Sequence, residues 1–410
     1  MNKQLEDFNF FDPEVVKHPF EFYEKLRDEA PIYQIPGTEM YLVTRYEDVK
    51  AIARKHKIFS SEINALMQGM EPDPEVVAIM EKGYPTVATM LTKDAPGHNR
   101  YRAIVNPAFA EGRIKKMTEK MAEIVNELMD KLPQSGYVDF FHEFCVHLPV
   151  WVIADALGVP RSDLDKFKYW SDCAVSAISG MASKEDSIRN AESQLEYQLY
   201  FADMIEHRRE NPGDDVVSIL VNSEVEEEPL DVAEMLSMIQ QILVAGNETT
   251  TATLAAGMVH LIQRPDVLER LRKEPDLIPI FVEELLRLET PSAGMWRFVL
   301  EDTEINGVKM AKGATAMIRW ASGNRDEEIF EDAENIDLDR TNTDKHMAFG
   351  YGIHACLGVH LSRQELNVAF GIIIKRMKSW KLAEDHQELV YVPSVLLRGL
   401  GELHLEIEMA

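Results

Sequence analysis

Three glycines, a histidine and a cysteine fall within ten residues near the C-terminal end, Phe349-Gly350-Tyr351-Gly352-Ile353-His354-Ala355-Cys356-Leu357-Gly358. Glycine carries no Cβ, so a loop of this composition folds tightly and lets its backbone approach something flat. Cys356 stands where the loop gives way to an apolar, helix-like stretch from Leu357 to about Trp380. At a helix start the free N–H groups and the positive end of the dipole stabilise a thiolate. Such a thiolate suits axial ligation of haem iron. A buried structural thiol beside a glycine turn is the plainer alternative.

Three other spacings carry chemistry. Asp94-Ala95-Pro96-Gly97-His98-Asn99-Arg100-Tyr101-Arg102 opens with an Asp cap and a proline, both helix-start signals. His98 and Arg102, four apart, then share a helix face and offer two donors to a carboxylate, or else form a solvated basic face. Asp231-Val232-Ala233-Glu234 has capping-box spacing and begins a periodic run to Gln263 without a proline. A helix of some 30 residues is about 45 Å long, enough to cross a domain. Its apolar stripe (Met235, Met238, Ile239, Ile242, Leu243) is broken by Ala245-Gly246-Asn247-Glu248-Thr249-Thr250. Glycine and threonine are poor choices for a helix interior, and the flanks are too apolar for an exposed face. Finally, Glu284 and Arg287 lie three apart in Phe281-Val282-Glu283-Glu284-Leu285-Leu286-Arg287, the spacing of an ordinary surface ion pair.

The elements that must hold these residues are mostly helical. Phe20 to Glu29, Tyr46 to His56, Arg113 to Leu132 and Ser187 to Glu210 carry apolar residues at three- and four-residue spacing. Alternation marks strands at Pro31 to Val43, Arg297 to Met310, Ala314 to Arg319 and Leu403 to Ile407. Ser61 to Lys93 keeps no period and holds Met67, Met70, Met80 and Met90, an irregular loop or an adaptable apolar surface. The charge run Glu224 to Glu228 reads as solvated loop. With no repeat or low-complexity linker, the chain is expected to form one domain over residues 1–410, mainly α with small β-sheets.

Composition narrows the function classes. With 43 basic against 70 acidic residues the net charge is −27, which repels nucleic acid and anionic membrane. The three cysteines, Cys145, Cys173 and Cys356, form no C-x-x-C pair, which removes support for disulfide scaffolds, zinc ribbons and four-cysteine iron–sulfur clusters. The N-terminus lacks a basic-then-apolar signal pattern, and the best apolar run, Leu148 to Val159, is interrupted by Asp155 and too short to span a bilayer. A cytoplasmic protein is expected.

Taken together, these motifs resemble the cytochrome P-450 superfamily over nearly the whole chain, about Asp12 to Leu405. The glycine loop is similar to its haem-binding loop, Asp94–Arg102 to its propionate helix, Ala245–Thr250 to its oxygen-binding helix, and Glu284/Arg287 to its Glu-x-x-Arg, with Arg340 as third member. The resemblance implies heme b (iron protoporphyrin IX) between a long central helix and the loop that carries Cys356, the thiolate ligand. It further implies that Phe349, Gly358, Ala245 and Gly246 line the cofactor and its oxygen site, and that His98, Arg102, Arg297 and His354 meet the propionates. Thr249 and Glu248 would deliver protons, and Glu284, Arg287 and Arg340 would brace the loop beneath the haem. The implied reaction is insertion of one atom of O2 into a small hydrophobic substrate, a hydroxylation. A peroxide-driven peroxygenase and a non-catalytic haem sensor are the alternatives, neither of which needs the acid–alcohol pair. By resemblance the pocket includes Met90, Leu91, Ile242, Ala245, Ala293, Met295, Val395 and Leu396. Too little chain follows Cys356 for a reductase domain, so electrons are expected from a separate ferredoxin and NAD(P)H-dependent reductase. A docking patch for that carrier is expected to draw on Arg100, Arg113, Lys115, Lys116, Lys345 and Arg363.

Overall fold

The structure, a computed structural model, describes residues 4–62, 73–178, 183–225 and 228–410. Met67 and Met70 lie outside the described residues. The chain divides into two compact units. The first comprises Met1–Ser61, Thr118–His147 and Thr249–Ala410, and the second Glu62–Met117 and Leu148–Glu248. The division falls inside one element, the 32-residue helix Val232–Gln263, between Glu248 and Thr249.

The first unit is built on a five-stranded sheet in the order Ile32–Gln34, Met40–Val43, Thr315–Ile318, Met295–Val299, Phe59–Ser60. Thr315–Ile318 runs parallel to Met40–Val43 and antiparallel to Met295–Val299. Side chains alternate across a strand, and here the alternation separates two cores. Tyr41, Val43, Ala316 and Ile318 join Val49, Phe59, Trp320, Phe330 and Met347 on one side. Leu42 and Met317 join Phe10, Phe22 and Leu26 on the other. A second sheet orders Met377–Leu382, His404–Met409 and Ser135–Asp139, all antiparallel. Helices Ile278–Glu289, Thr118–Lys131 and Val359–Arg376 are among those of this unit.

The second unit is helical, with Gly97–Val105, Leu164–Ile178, Lys184–Glu210 and most of His147–Leu157 as its main pieces. Trp170 packs edge-on and tilted among Tyr197, Tyr200 and Phe201, and the Tyr197 hydroxyl donates to the Leu236 carbonyl at 2.9 Å. The expected capping box at the start of the long helix is present: Asp231 N–H reaches Glu234 at 3.0 Å and Glu234 N–H reaches Asp231 at 2.8 Å. Glu234 also accepts from Arg100 and from the Tyr101 hydroxyl.

Several sequence expectations are corrected. Arg113 to Leu132 is two helices, Glu111–Lys116 and Thr118–Lys131, since Met117 N–H turns back to Ile114 and Lys115 while the apolar period runs on through both. The stretch after Cys356 is helical only over Val359–Arg376; Met377–Leu382 pairs with His404–Met409 instead. The N-cap position of the helix Gly97–Val105 is Pro96, two residues after Asp94. The helix starts at Gly97, and the Asp94 carbonyl takes the His98 N–H at 2.9 Å. Ser61 to Lys93 contains a helix, Pro74–Met80, capped by Asp73. Glu224–Val225 and Glu228–Pro229 pair as a short antiparallel ribbon, so the charge run is not plain loop. Among the described residues no helix is long and apolar enough to cross a membrane.

Candidate active site

The cysteine loop is shaped by two left-handed glycines. Gly350 has φ +69° and Gly352 φ +81°, values that side chains other than glycine rarely adopt. A Cβ on Gly352 would also lie 2.7 Å from the Ala53 carbonyl oxygen. A single 3-10 turn, Gly352–His354, follows, and Cys356 N–H then closes back on the Phe349 carbonyl at 2.8 Å. Gly358 is the N-cap of the 18-residue helix Val359–Arg376. The helix dipole therefore favours an anionic sulfur at Cys356.

The cysteines separate cleanly by accessibility. Cys145 and Cys173 are buried, and burial pushes the Cys145 thiol well above its ordinary range. Cys356 is exposed. An iron ligand must be an accessible thiolate, so the donor set fits a haem at Cys356 and at neither of the others.

Phe349, beside the cysteine loop, is held by a network that sequence reasoning missed. The Arg363 guanidinium lies 5.0 Å from the Phe349 ring centroid, and His346 packs at 5.9 Å. Both basic groups are anchored on Glu283: Arg363 donates at 2.7 and 2.6 Å, and His346 Nε2 lies at 3.0 Å. Burial alone raises the Glu283 carboxyl, but the bonds from His346 and Arg363 outweigh it and hold the group below its usual range. Glu283 sits next to the Glu284 that the motif singled out, and its partners lie 63 and 80 residues away, beyond any local pattern.

Glu284 and Arg287 are not a surface pair; both are fully buried. Arg287 donates to the two Glu284 oxygens at 2.7 and 3.0 Å, and to the carbonyls of Asn324, Ala333 and Asn335 at 3.1, 2.6 and 2.9 Å. Arg340 Nε stands 2.9 Å from Glu284, and its two terminal nitrogens reach the Glu331 and Asp332 carbonyls. Asp337 N–H adds a fourth contact to Glu284 at 3.0 Å. One carboxylate and two guanidiniums thus tie the backbone of residues 324–340 to helix Ile278–Glu289.

In the long helix the polar residues at the centre find partners. Asn247 donates to Ser171 Oγ at 2.7 Å within the second unit. Thr251 donates to the Cys145 carbonyl at 3.1 Å, and Thr253 to the Thr249 carbonyl at 2.8 Å, within the first. A Cβ on Gly246 would come within 2.9 Å of Ile153, so that glycine allows close helix packing. Glu248 is half-buried; burial raises its carboxyl pKa, Asp172 adds to the effect and Lys168 opposes it.

The remaining residues fall as follows. In the second unit His98 is buried with Nδ1 3.3 Å from Asn99, and Arg102 follows one turn later. Leu91 N–H reaches Gln241 at 3.0 Å, beside buried Ile242; Met90 is buried, while Leu91 and Ala245 are exposed. In the first unit Arg297 is buried on its strand and donates to the Trp296 carbonyl, and His354 is half-buried. Ala293 and Leu396 are joined by a 2.8 Å backbone bond, with Val395 in the same apolar cluster, whereas Met295 packs on the opposite core. Of the expected docking cations, Arg100 is paired with Glu234 at 2.6 Å, Arg113 with Asp214 at 2.7 Å and Arg363 with Glu283. Their charge is balanced locally, which corrects the expectation for these three.

A mainly helical chain presenting one exposed cysteine from a glycine loop at the head of a helix, with a buried Glu–Arg–Arg brace, has the make-up of a haem-thiolate oxidoreductase. Comparison with known proteins agrees. The sequence model of the family described as Cytochrome P-450 matches residues 186–400. Mycinamicin IV hydroxylase/epoxidase of Micromonospora griseorubida is 34% identical, covering 93% of this chain and 94% of that protein. A cytochrome P-450 structure from Chondromyces apiculatus superposes with TM-score 0.87 at 30% identity, covering 99% and 100% of the two chains. One from Bacillus megaterium in complex with testosterone gives TM-score 0.82 at 32% identity over 96% and 98%. The chain belongs to the cytochrome P-450 family of monooxygenases, whose cofactor is haem held by a cysteine thiolate.

Proposed function

We propose that this chain hydroxylates a small hydrophobic substrate, with heme b ligated by Cys356 and electrons from a separate ferredoxin and NAD(P)H-dependent reductase. The observation that carries the reading is the accessibility of Cys356, alone among the three cysteines, in a loop closed by its own N–H on Phe349. Thiolate-ligated haem supplies reductive activation of dioxygen when bound. The chain supplies the rest. Arg297, His354, His98 and Arg102 are the donors for the propionates. Phe349, Gly358, Ala245 and Gly246 border the cofactor, and Glu284, Arg287 and Arg340 hold the backbone beneath it. Glu248, whose carboxyl keeps its proton to a higher pH than an exposed one, takes protons from solvent, and the Thr249 hydroxyl passes them on through water.

Met90, Leu91, Ile242, Ala293, Met295, Val395 and Leu396 are the substrate contacts in this reading. The hydroxylase named for mycinamicin IV and the testosterone-bound neighbour support a small organic molecule as the substrate. The interleaving of the two units along the sequence, with one helix common to both, supports a single functional domain over residues 1–410. We assign it to the cytoplasm.

The test is the absorption spectrum of the reduced protein under carbon monoxide, for wild type and Cys356→Ser. A strongly red-shifted Soret band in wild type, lost in the variant, is expected. A band at the histidine-ligated position in undamaged wild-type protein would remove the reading. Turnover with ferredoxin, reductase and NADPH, compared with turnover on peroxide alone, then tests the electron source.

A further inference from the structure

Away from the cysteine loop, the three-stranded sheet of the first unit gathers two histidines and a glutamate that the monooxygenase chemistry does not use. His404 opens the strand His404–Met409. The Ala383 N–H donates to the His404 carbonyl at 3.0 Å just past the end of Met377–Leu382, and the chain then turns, with His386 N–H on the Ala383 carbonyl at 3.0 Å. Gln387 Nε2 fixes the turn by donating to the Leu382 and Ala383 carbonyls at 3.2 and 2.7 Å. The turn lays the His386 ring against the His404 ring, centroids 3.9 Å apart. Glu402 Oε2 lies 3.5 Å from His404 Nε2. One donor atom from each of His386, Glu402 and His404 falls within 4.8 Å of the others, and all three residues are half-buried.

The other nitrogen of His404 is already engaged. Tyr137, on the neighbouring strand Ser135–Asp139, has its hydroxyl 2.8 Å from His404 Nδ1 and its ring stacked on the imidazole at 5.8 Å. In the tautomer whose Nδ1–H donates to the Tyr137 oxygen, Nε2 carries its lone pair on the side of Glu402. An outer partner that fixes tautomer and ring orientation is the usual companion of a metal-ligating histidine.

We propose that His386, Glu402 and His404 form a site for a divalent transition-metal ion of the zinc type, oriented by the Tyr137 hydroxyl. Two imidazole nitrogens and one carboxylate oxygen suit zinc, whereas magnesium and calcium prefer all-oxygen sets. Tetrahedral zinc with bonds of about 2.0–2.1 Å needs donors about 3.3 Å apart. The His404–Glu402 separation of 3.5 Å already meets that, and a side-chain rotation of His386 supplies the third ligand. Solvent fills the fourth position. His386 and Glu402 bound the segment 386–402, which carries Val395 and Leu396. The ion therefore ties the two ends of that segment together and reduces its freedom to open. The site stands independently of the haem reading, because metal binding is measured on the chain whatever its haem content.

The experiment is calorimetric titration of zinc into the full-length holoprotein after treatment with a chelator, with the thermal midpoint followed in parallel. One zinc ion per chain and a zinc-dependent rise in midpoint are expected. His386→Gln and His404→Gln should each weaken binding at least tenfold, and Tyr137→Phe by roughly 10- to 100-fold. Absorption spectra and circular dichroism serve to check that each variant remains folded. Zinc-edge X-ray absorption should report two nitrogen ligands and oxygen at about 2 Å. No stoichiometric binding in wild type, or unchanged affinity in the His386→Gln/His404→Gln double variant, would overturn the site.

Discussion

At the scale of single residues, the proton route and the buried brace make separate demands. Thr249 and Glu248 are consecutive on a helix, so they do not face one another, and a proton passes between them only through water. Thr249→Ala removes the hydroxyl and little volume. NAD(P)H consumption should continue while product per NAD(P)H falls several-fold and hydrogen peroxide appears in its place. Full coupling in that variant would remove Thr249 from the route. Glu284 tests the brace. Glu284→Ala strands two guanidiniums whose side chains are 0% and 4% exposed, and an uncompensated buried charge costs about 3–5 kcal/mol. Urea unfolding should show a loss on that scale, with haem content reduced in the expressed protein. A change below about 0.5 kcal/mol, the range of an ordinary surface substitution, would return the pair to the minor role its spacing first suggested.

At the scale of elements, Gly257 shows how tightly the long helix packs within the first unit. A Cβ there would collide with the Phe370 ring and lie 2.7 Å from Leu285, side chains of helices Val359–Arg376 and Ile278–Glu289. Alanine in a helix interior gains about 1 kcal/mol over glycine, but overpacking a filled core costs about 1–3 kcal/mol. Gly257→Ala should therefore lower the thermal midpoint, and a raised midpoint would show that Phe370 moves aside freely. Helix Phe20–Glu29 was legible to the residue, because its apolar stripe and its ends coincide. The capping box at Asp231 and the strand Thr315–Ile318 were legible for the same reason, whereas the segment Pro31 to Val43, read as one alternating stretch, is two antiparallel strands, Ile32–Gln34 and Met40–Val43. Elsewhere local chemistry and burial diverge. Met377 and Trp380 are buried and prolong the apolar pattern of the helix before them, yet the backbone hydrogen bonds of His404–Met409 take that segment as a strand. In the site, the cysteine loop could be read from spacing. Glu283 could not, since its meaning comes from His346 and Arg363, which only the fold brings to it.

At the scale of the whole molecule, the net charge is −27, and a few shielded carboxylates carry opposite pH signatures. Glu283 is half-buried and Glu289 buried, which alone would raise them, but basic partners hold both below the usual range. For Glu289 those partners are Arg398, His260 at 2.7 Å and the nearby Arg325. Such groups contribute stability that is present at neutral pH and lost as acid protonates them. Glu365, in helix Val359–Arg376, behaves oppositely. It is 1% exposed, its Oε1 has no hydrogen-bond partner among the described residues, and burial pushes its pKa from 4.5 to about 8. A raised pKa means that the folded chain holds the proton more tightly than the unfolded one, so its contribution is complete below pH 4.5 and disappears by about pH 8. Between those values this one group lowers stability by up to about 1.4 kcal/mol per pH unit. Glu365→Gln keeps the shape and removes the titration. Thermal midpoints measured from pH 5 to 9 should fall more steeply in wild type than in the variant up to about pH 8, then run parallel. Parallel curves across the whole range would mean that Glu365 is ionised in the folded protein at neutral pH, with a partner that holds its charge.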